Sequence, residues 1–165
     1  MSMMTAVALI ALVAGHWGFP PLPPPEAYAR PADQELARRG QSPCLILGEE
    51  DGVIIERRLP TDQCYKMLPP QRMRGVWIDE FEGSRFYPDR TAAPRGDEDR
   101  PMIWLDVGRV ELPHGYTRGR PDGRAVLVDF IGRRTRYRAP SGHMGLFDYE
   151  IIVDRVISAK ELSNP

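Results

Sequence analysis

Lysine is nearly missing from this 165-residue chain, with two against twenty arginines, and 22 basic residues face 23 acidic ones for a formal charge of -1. That balance removes any global argument for a nucleic-acid-binding or membrane-surface protein. Two cysteines cannot supply a four-thiolate zinc site. No stretch of eighteen apolar residues occurs, which excludes an ordinary spanning helix. P-loop, GxGxxG, HExxH and GxSxG motifs are lacking as well, so the common phosphate, dinucleotide, zinc-protease and serine-hydrolase chemistries leave no signature. What is present is a chain long enough for one domain with a real core, 42% hydrophobic and carrying 17 prolines and 15 glycines.

The first 29 residues read as an export segment. Thr5 to Gly15 (TAVALIALVAG) is an apolar run of signal-peptide length, too short to span a bilayer. A proline-rich stretch follows, then Ala27-Tyr28-Ala29, a small-x-small site that predicts cleavage after Ala29. Two features weigh against export: no Lys or Arg precedes the run, and the distance from Gly15 to Ala29 is long for a c-region. An earlier cut would accommodate the second. No cysteine follows the run closely enough to carry a lipid. The bland alternative is a buried helix followed by a polyproline linker.

Cys44 and Cys64 flank two short β-prone runs, 45–47 and 53–56, separated by the turn-like Gly48 to Gly52, and together these read as a hairpin. In an exported chain, an even pair with no third thiol predicts a disulfide between Cys44 and Cys64.

Residues 30–43 predict a short surface helix with Asp33 as its cap and Gly40 as its stop, and residues 44–165 a single β domain. Strands are expected over 74–82, 102–107, 125–130 and 149–157, with the last slipping its alternation at Asp154-Arg155 as a bulge would. Gly132 predicts a bend between 125–130 and 135–138. The polar 89–100 and 113–123 are loops. No segment beyond residue 40 keeps a helical period, so the fold is mainly β: six to eight short strands in a small closed barrel, OB-like, or a β-sandwich, with closure preferred because it removes free edges.

The stretches MRGVWIDEFEGSRFYP (73–88) and GRRTRYRAPSGHMGLFDYEIIVDRVISAK (132–160) resemble a group of small, exported, uncharacterised bacterial proteins. The resemblance covers about a quarter of the chain. It implies export and one compact domain, and it carries no catalytic residue.

Candidate chemistry is sparse. Seven arginines against two aspartates lie between 118 and 138, interleaved with Phe130 and Tyr137. Alternation would put Arg134, Arg136 and Arg138 on one face, where guanidinium forks can grip phosphate or carboxylate and Tyr137 can add an aromatic surface. The ordinary alternative is a solvated strand with acidic cross-strand partners. His143 stands between Gly142 and Gly145 in an exposed loop, a candidate general base or, more ordinarily, a turn histidine bonded to backbone. His114 has a similar setting, but no spacing joins the two into a metal site. Glu80 and Glu82 share a face as a strand's wet side would. Trp77 and Trp104 are expected in the core.

The sequence therefore points to a periplasmic or secreted, non-catalytic β domain with no cofactor and no metal, binding an anionic envelope component or a partner protein through Arg134, Arg136, Arg138, Tyr137 and His143. Two alternatives stay open: a small hydrolase using His143 with a carboxylate, and a cytosolic OB-like binder of single-stranded nucleic acid, against which the charge balance counts.

Overall fold

The computed structural model describes residues 23–80, 82–94, 102–108, 110–112 and 123–162. Trp17, His114, Arg118 and Arg120, along with residues 1–22, lie outside them. Five strands close a barrel: β3 (Gln71–Glu80), β4 (Gly83–Pro88), β5 (Ile103–Asp106), β6 (Arg124–Arg134) and β7 (Tyr149–Glu161), in the circular order β3-β4-β5-β7-β6. Every neighbouring pair is antiparallel except β5 with β7. In barrel numbering the order is first, second, third, fifth, fourth, with third and fifth parallel, the OB-like arrangement. Closure decides between barrel and sandwich, and it leaves the barrel without a free edge.

Alternation places the core. Met73 and Trp77 of β3, Phe86 of β4, Ile103 and Leu105 of β5, and Val126, Val128 and Phe130 of β6 meet inside the barrel. On β7 the inward series is Ile151, Val153, Val156, Ala159. The two three-residue steps coincide with register shifts against β6 at Asp129/Phe130 and Ile131/Gly132. Each bulge adds one residue and returns the apolar phase to the interior, so the slip at Asp154 is a bulge, and a second one follows it. The Trp77 indole N–H donates to Ser84 Oγ at 2.9 Å, and that hydroxyl donates to the Leu105 carbonyl. Three strands are thereby tied through one buried polar chain.

Two sequence expectations are corrected inside the barrel. Gly132 is not a bend: β6 runs unbroken to Arg134. A Cβ at Gly132 would lie 2.6 Å from the Ile152 carbonyl oxygen and 3.1 Å from the Phe130 ring, so glycine serves close strand approach there. The strand expected over 74–82 is displaced: β3 runs from Gln71 to Glu80, and Gly83 and Ser84 open β4.

Residues 24–68 pack on the barrel as a cap. Its helix α1 (Pro31–Arg38) ends on Gly40 in the left-handed region (φ 68), with Gly40 and Gln41 donating back to the Ala37 and Leu36 carbonyls. Asp33 is not the cap of α1. It is fully buried, accepts the Cys44 amide at 2.9 Å, and is gripped by both nitrogens of the Arg30 fork. The one-turn helix α2 (Thr61–Cys64), which the sequence reading missed, brings Cys64 to Cys44, and the two form a disulfide across a separation of 20 residues. Tyr28 packs on both sulfurs' residues, and burial pushes its hydroxyl pKa up to about 12. Isolated bridges Tyr28 to Tyr65 and Met67 to Thr135 sew the cap to itself and to the barrel.

Between the cysteines, β1 (Leu45–Glu50) and β2 (Val53–Arg58) make a two-stranded sheet separate from the barrel. Their turn is the pair Asp51-Gly52 with φ of 53 and 79, the two-residue form favoured by Asp-Gly, and not the five-residue loop expected from Gly48 to Gly52. Leu47 and Ile54 are 76% and 73% exposed, so this sheet has no core of its own.

The Arg30 pair and the Cys44 amide hold the Asp33 carboxyl below its ordinary value, with the Arg30 hydrogen bond the larger cause and burial opposing it. A depressed carboxyl contributes stability that is complete above its unfolded pKa and is lost as pH falls through its folded one. Amide protection at Cys44 is therefore expected to fall below about pH 4 while the amides of β3 and β6 stay protected. Hydrogen exchange measured down the acid range checks this, and protection at Cys44 that tracks the barrel amides throughout would contradict it.

Candidate functional site

A cavity opens at one end of the barrel. It holds about 540 Å³, with Met73, Phe86, Ile103 and Ile151 as its apolar floor. Its rim carries Arg72, Arg74 and Arg134 against Asp89 and Asp129. Arg134 arrives there by phase: Val126, Val128, Phe130, Gly132 and Arg134 are successive same-face positions of β6, so the strand's inward row ends in a guanidinium. Its guanidinium lies 4.9 Å from the centre of the Tyr149 ring, a cation–π contact. Its Nε is buried and meets no acceptor among the described residues.

The other charges of the rim are partly committed. Arg72 holds Asp129 through its Nε and Nη2, at 2.9 and 2.7 Å. That hydrogen bond is the main cause that lowers the Asp129 pKa, aided by Arg72 and Arg74 charge. With this pair neutralised, Arg74 and Arg134 outweigh Asp89, and the mouth keeps one net positive charge above an apolar floor.

Arg136 and Arg138 do not join Arg134 there. β6 ends at Arg134, and the chain beyond it turns out of strand geometry, so the expected shared face does not form. Arg136 is exposed and lies over Tyr137 at 5.9 Å, while Arg138 bonds Asp148 at 2.6 Å. Arg133, on the opposite phase, pairs with Asp154. Arg72 was missed because β3 was read only from Arg74 onward, and Arg74 because, as the first residue of that strand, it had no visible link to the arginines of 118–138. The signal for Arg134 was available: counting by twos from Phe130 places it inward.

His143 sits in a one-turn 3₁₀ segment, His143–Gly145, between glycines at φ 65 and 69. Its Nε2 lies 3.7 Å from Glu82 Oε2 at the turn after β3, with the two side chains 39% and 57% exposed. This pair of loop tips stands in solvent and lines neither cavity described here. No group of three metal-ligating side chains occurs among the described residues, nor is any described helix long and apolar enough to cross a membrane. Glu80 is turned to Arg85, 2.7 Å away, as a cross-strand ion pair.

Trp77 lies in the core as expected, but Trp104 does not. Its phase on β5 is outward, and it packs edge-to-face on Phe147 at 5.1 Å, against Gly142. A Cβ at Gly142 would come within 2.6 Å of the indole, and its φ is positive, so only glycine fits this contact. A second cleft of about 260 Å³ opens beside Trp104, between cap and barrel.

The geometry defines a closed, OB-like five-stranded barrel with a disulfide-stapled cap and a cationic mouth. Comparison with protein-family models, curated proteins and solved structures finds no match to this chain.

Proposed function

We propose that this chain is an exported, non-catalytic barrel whose mouth binds an anionic, partly apolar component of the cell envelope. The observation that carries the reading is the Arg134 side chain, which ends the inward row of β6 at an apolar cavity and whose Nε–H meets no acceptor among the described residues. Leaving a charged donor buried and unsatisfied costs roughly 1–3 kcal/mol or more, which a bound phosphate or carboxylate would offset. The Met73, Phe86, Ile103 and Ile151 floor suits the apolar part of such a ligand.

Export is supported by the disulfide, since a bridge between the chain's two cysteines persists in oxidising compartments and is rare in reducing ones. Cleavage falls upstream of Ala29 in this reading. Ala27 and Tyr28 are buried, the Ala29 amide donates to the Cys64 carbonyl, and the Lys66 amide donates to the Ala27 carbonyl. A cut after Ala29 would strip these from the cap.

Titration of the full chain with dihexanoyl phosphatidylglycerol is expected to saturate, and Arg134→Met to weaken it by about tenfold or more. Equal binding by Arg134→Met and the parent chain would overturn the assignment. Tighter binding of a short single-stranded oligonucleotide, falling steeply with salt, would favour the nucleic-acid reading instead. N-terminal sequencing of the periplasmic fraction checks export: a start ahead of Pro24 is expected, and an intact Met1 confined to the cytosol would remove that half of the proposal.

A further inference from the structure

The cleft beside Trp104 is independent of the cationic mouth and differs from it in chemistry. One wall comes from the segment that the disulfide closes and its flank, with Arg58, Cys64 and Tyr65; the other comes from the barrel, with Trp104, Asp106 and Glu150. Cross-strand register explains the barrel wall. Trp104 pairs with Glu150 of β7, and Asp106 lies two residues further along the same outward face of β5.

Several of these groups have hydrogen-bonding capacity left over. Asp106 Oδ1 accepts the Gly108 amide at 2.7 Å, and its other oxygen takes no partner among the described residues. Arg58 is exposed, and no ion pair or side-chain hydrogen bond engages it among the described residues; the Tyr65 hydroxyl is likewise without one, and burial raises its pKa so that it stays a neutral donor and acceptor. The Glu150 carboxylate reaches the Gly142 amide at 3.5 Å. One cleft thus gathers an indole, a phenol, two carboxylates and a guanidinium.

That combination discriminates between ligand classes. An anion would meet two carboxylates against one arginine. A simple cation would leave the Arg58 and Tyr65 donors unused and would meet arginine's repulsion. A neutral molecule with several adjacent hydroxyls uses the open groups together: Asp106 accepts from a hydroxyl, Arg58 donates, Tyr65 does either, and the apolar C–H face of a ring packs on Trp104. The volume of about 260 Å³ is just under the roughly 300–1,000 Å³ typical of drug-sized ligand sites, which restricts the occupant to a small ring system.

We propose that this cleft is a saccharide-binding site, taking one sugar unit against Trp104 with Asp106 and Arg58 as its directing polar groups. The cap is then half of a binding site as well as a cover. Because α2 carries Cys64 into the wall, the Cys44–Cys64 bridge holds Tyr65 opposite Trp104.

The test is an NMR titration of the oxidised full chain with glucose and, separately, N-acetylglucosamine, with tetramethylammonium and orthophosphate as comparators. At least one sugar is expected to shift the Trp104 indole and the Gly142 and Glu150 amides with a midpoint below about 50 mM. Trp104→Ala should abolish the shifts. Should that variant unfold, Asp106→Asn decides: it keeps an oxygen for the Gly108 amide, loses the charge, and should weaken the sugar by about tenfold. Arg134→Met should leave these shifts unchanged, which separates this site from the cationic mouth. The proposal is overturned if neither sugar moves those resonances, if Asp106→Asn binds as the parent does, or if tetramethylammonium or orthophosphate alone produces the shifts.

Discussion

Replacing Cys44 and Cys64 together by serine is expected to destabilise the protein by about 3 kcal/mol, the chain-entropy value for a loop of this length. For a chain of this size that is a fall of roughly 6–12 °C in melting temperature. The bridge closes the loop that contains the hairpin and α2, and that loop has little else to hold it, since the cap's own core is Tyr28 and the two cysteines with Ala37, Leu59 and Tyr65 around them. Thermal melts of oxidised, reduced and serine-substituted protein should place the reduced and substituted forms together, well below the oxidised one. Three superimposable melts would mean that the cap is held by its barrel contacts alone.

Truncating Trp77 to alanine is expected to cost more, about 3–5 kcal/mol, because the side chain is fully buried at the centre of the barrel and its removal leaves a cavity that closed walls cannot collapse to fill. Ser84→Ala is the informative companion. It leaves the Trp77 indole N–H buried without the 2.9 Å acceptor it now has, at a cost of about 1–3 kcal/mol. In the double variant the part of the second loss that belongs to the indole should vanish, leaving only the lost bond from the Ser84 hydroxyl to the Leu105 carbonyl. Denaturant unfolding of the three variants reads this coupling, and strict additivity would show that the hydroxyl and indole do not act as one unit.

The barrel was legible where alternation was clean. The strands around 102–107 and 149–157 declared themselves because apolar, largely β-branched residues recur there, the one at 74–82 despite two mixed phases, and the bulge at Asp154 because a missed beat in that pattern has a single structural remedy. Gly132 misled: a glycine between two strand-like runs reads as a bend, and only the Ile152 carbonyl across the sheet shows that it is there to let strands approach. Arg136 and Arg138 failed as a face for a related reason, since alternation was extended past the point where β6 stops pairing. Asp33 looked like a helix cap from local sequence, yet its partner Cys44 is eleven residues away and belongs to tertiary structure. The cleft at Trp104 was invisible for the same reason, as its two walls come from residues 58–65 and 104–150 and no local pattern joins them.

The hairpin that the disulfide encloses has to keep itself in solution. Leucine, isoleucine and valine project from both sides of β1 and β2 in a run of three on each strand, and the outer backbone edges pair with no other described strand, which is the kind of template on which chains aggregate. Glu49, Glu50, Glu56, Arg57 and Arg58 punctuate that ribbon, with Arg57 paired to Glu50 across it. A neighbouring chain laid along either edge would have to desolvate several of these charges. Fibre formation is opposed there by acid and base together, so a variant that neutralises them should clump without ever unfolding its barrel.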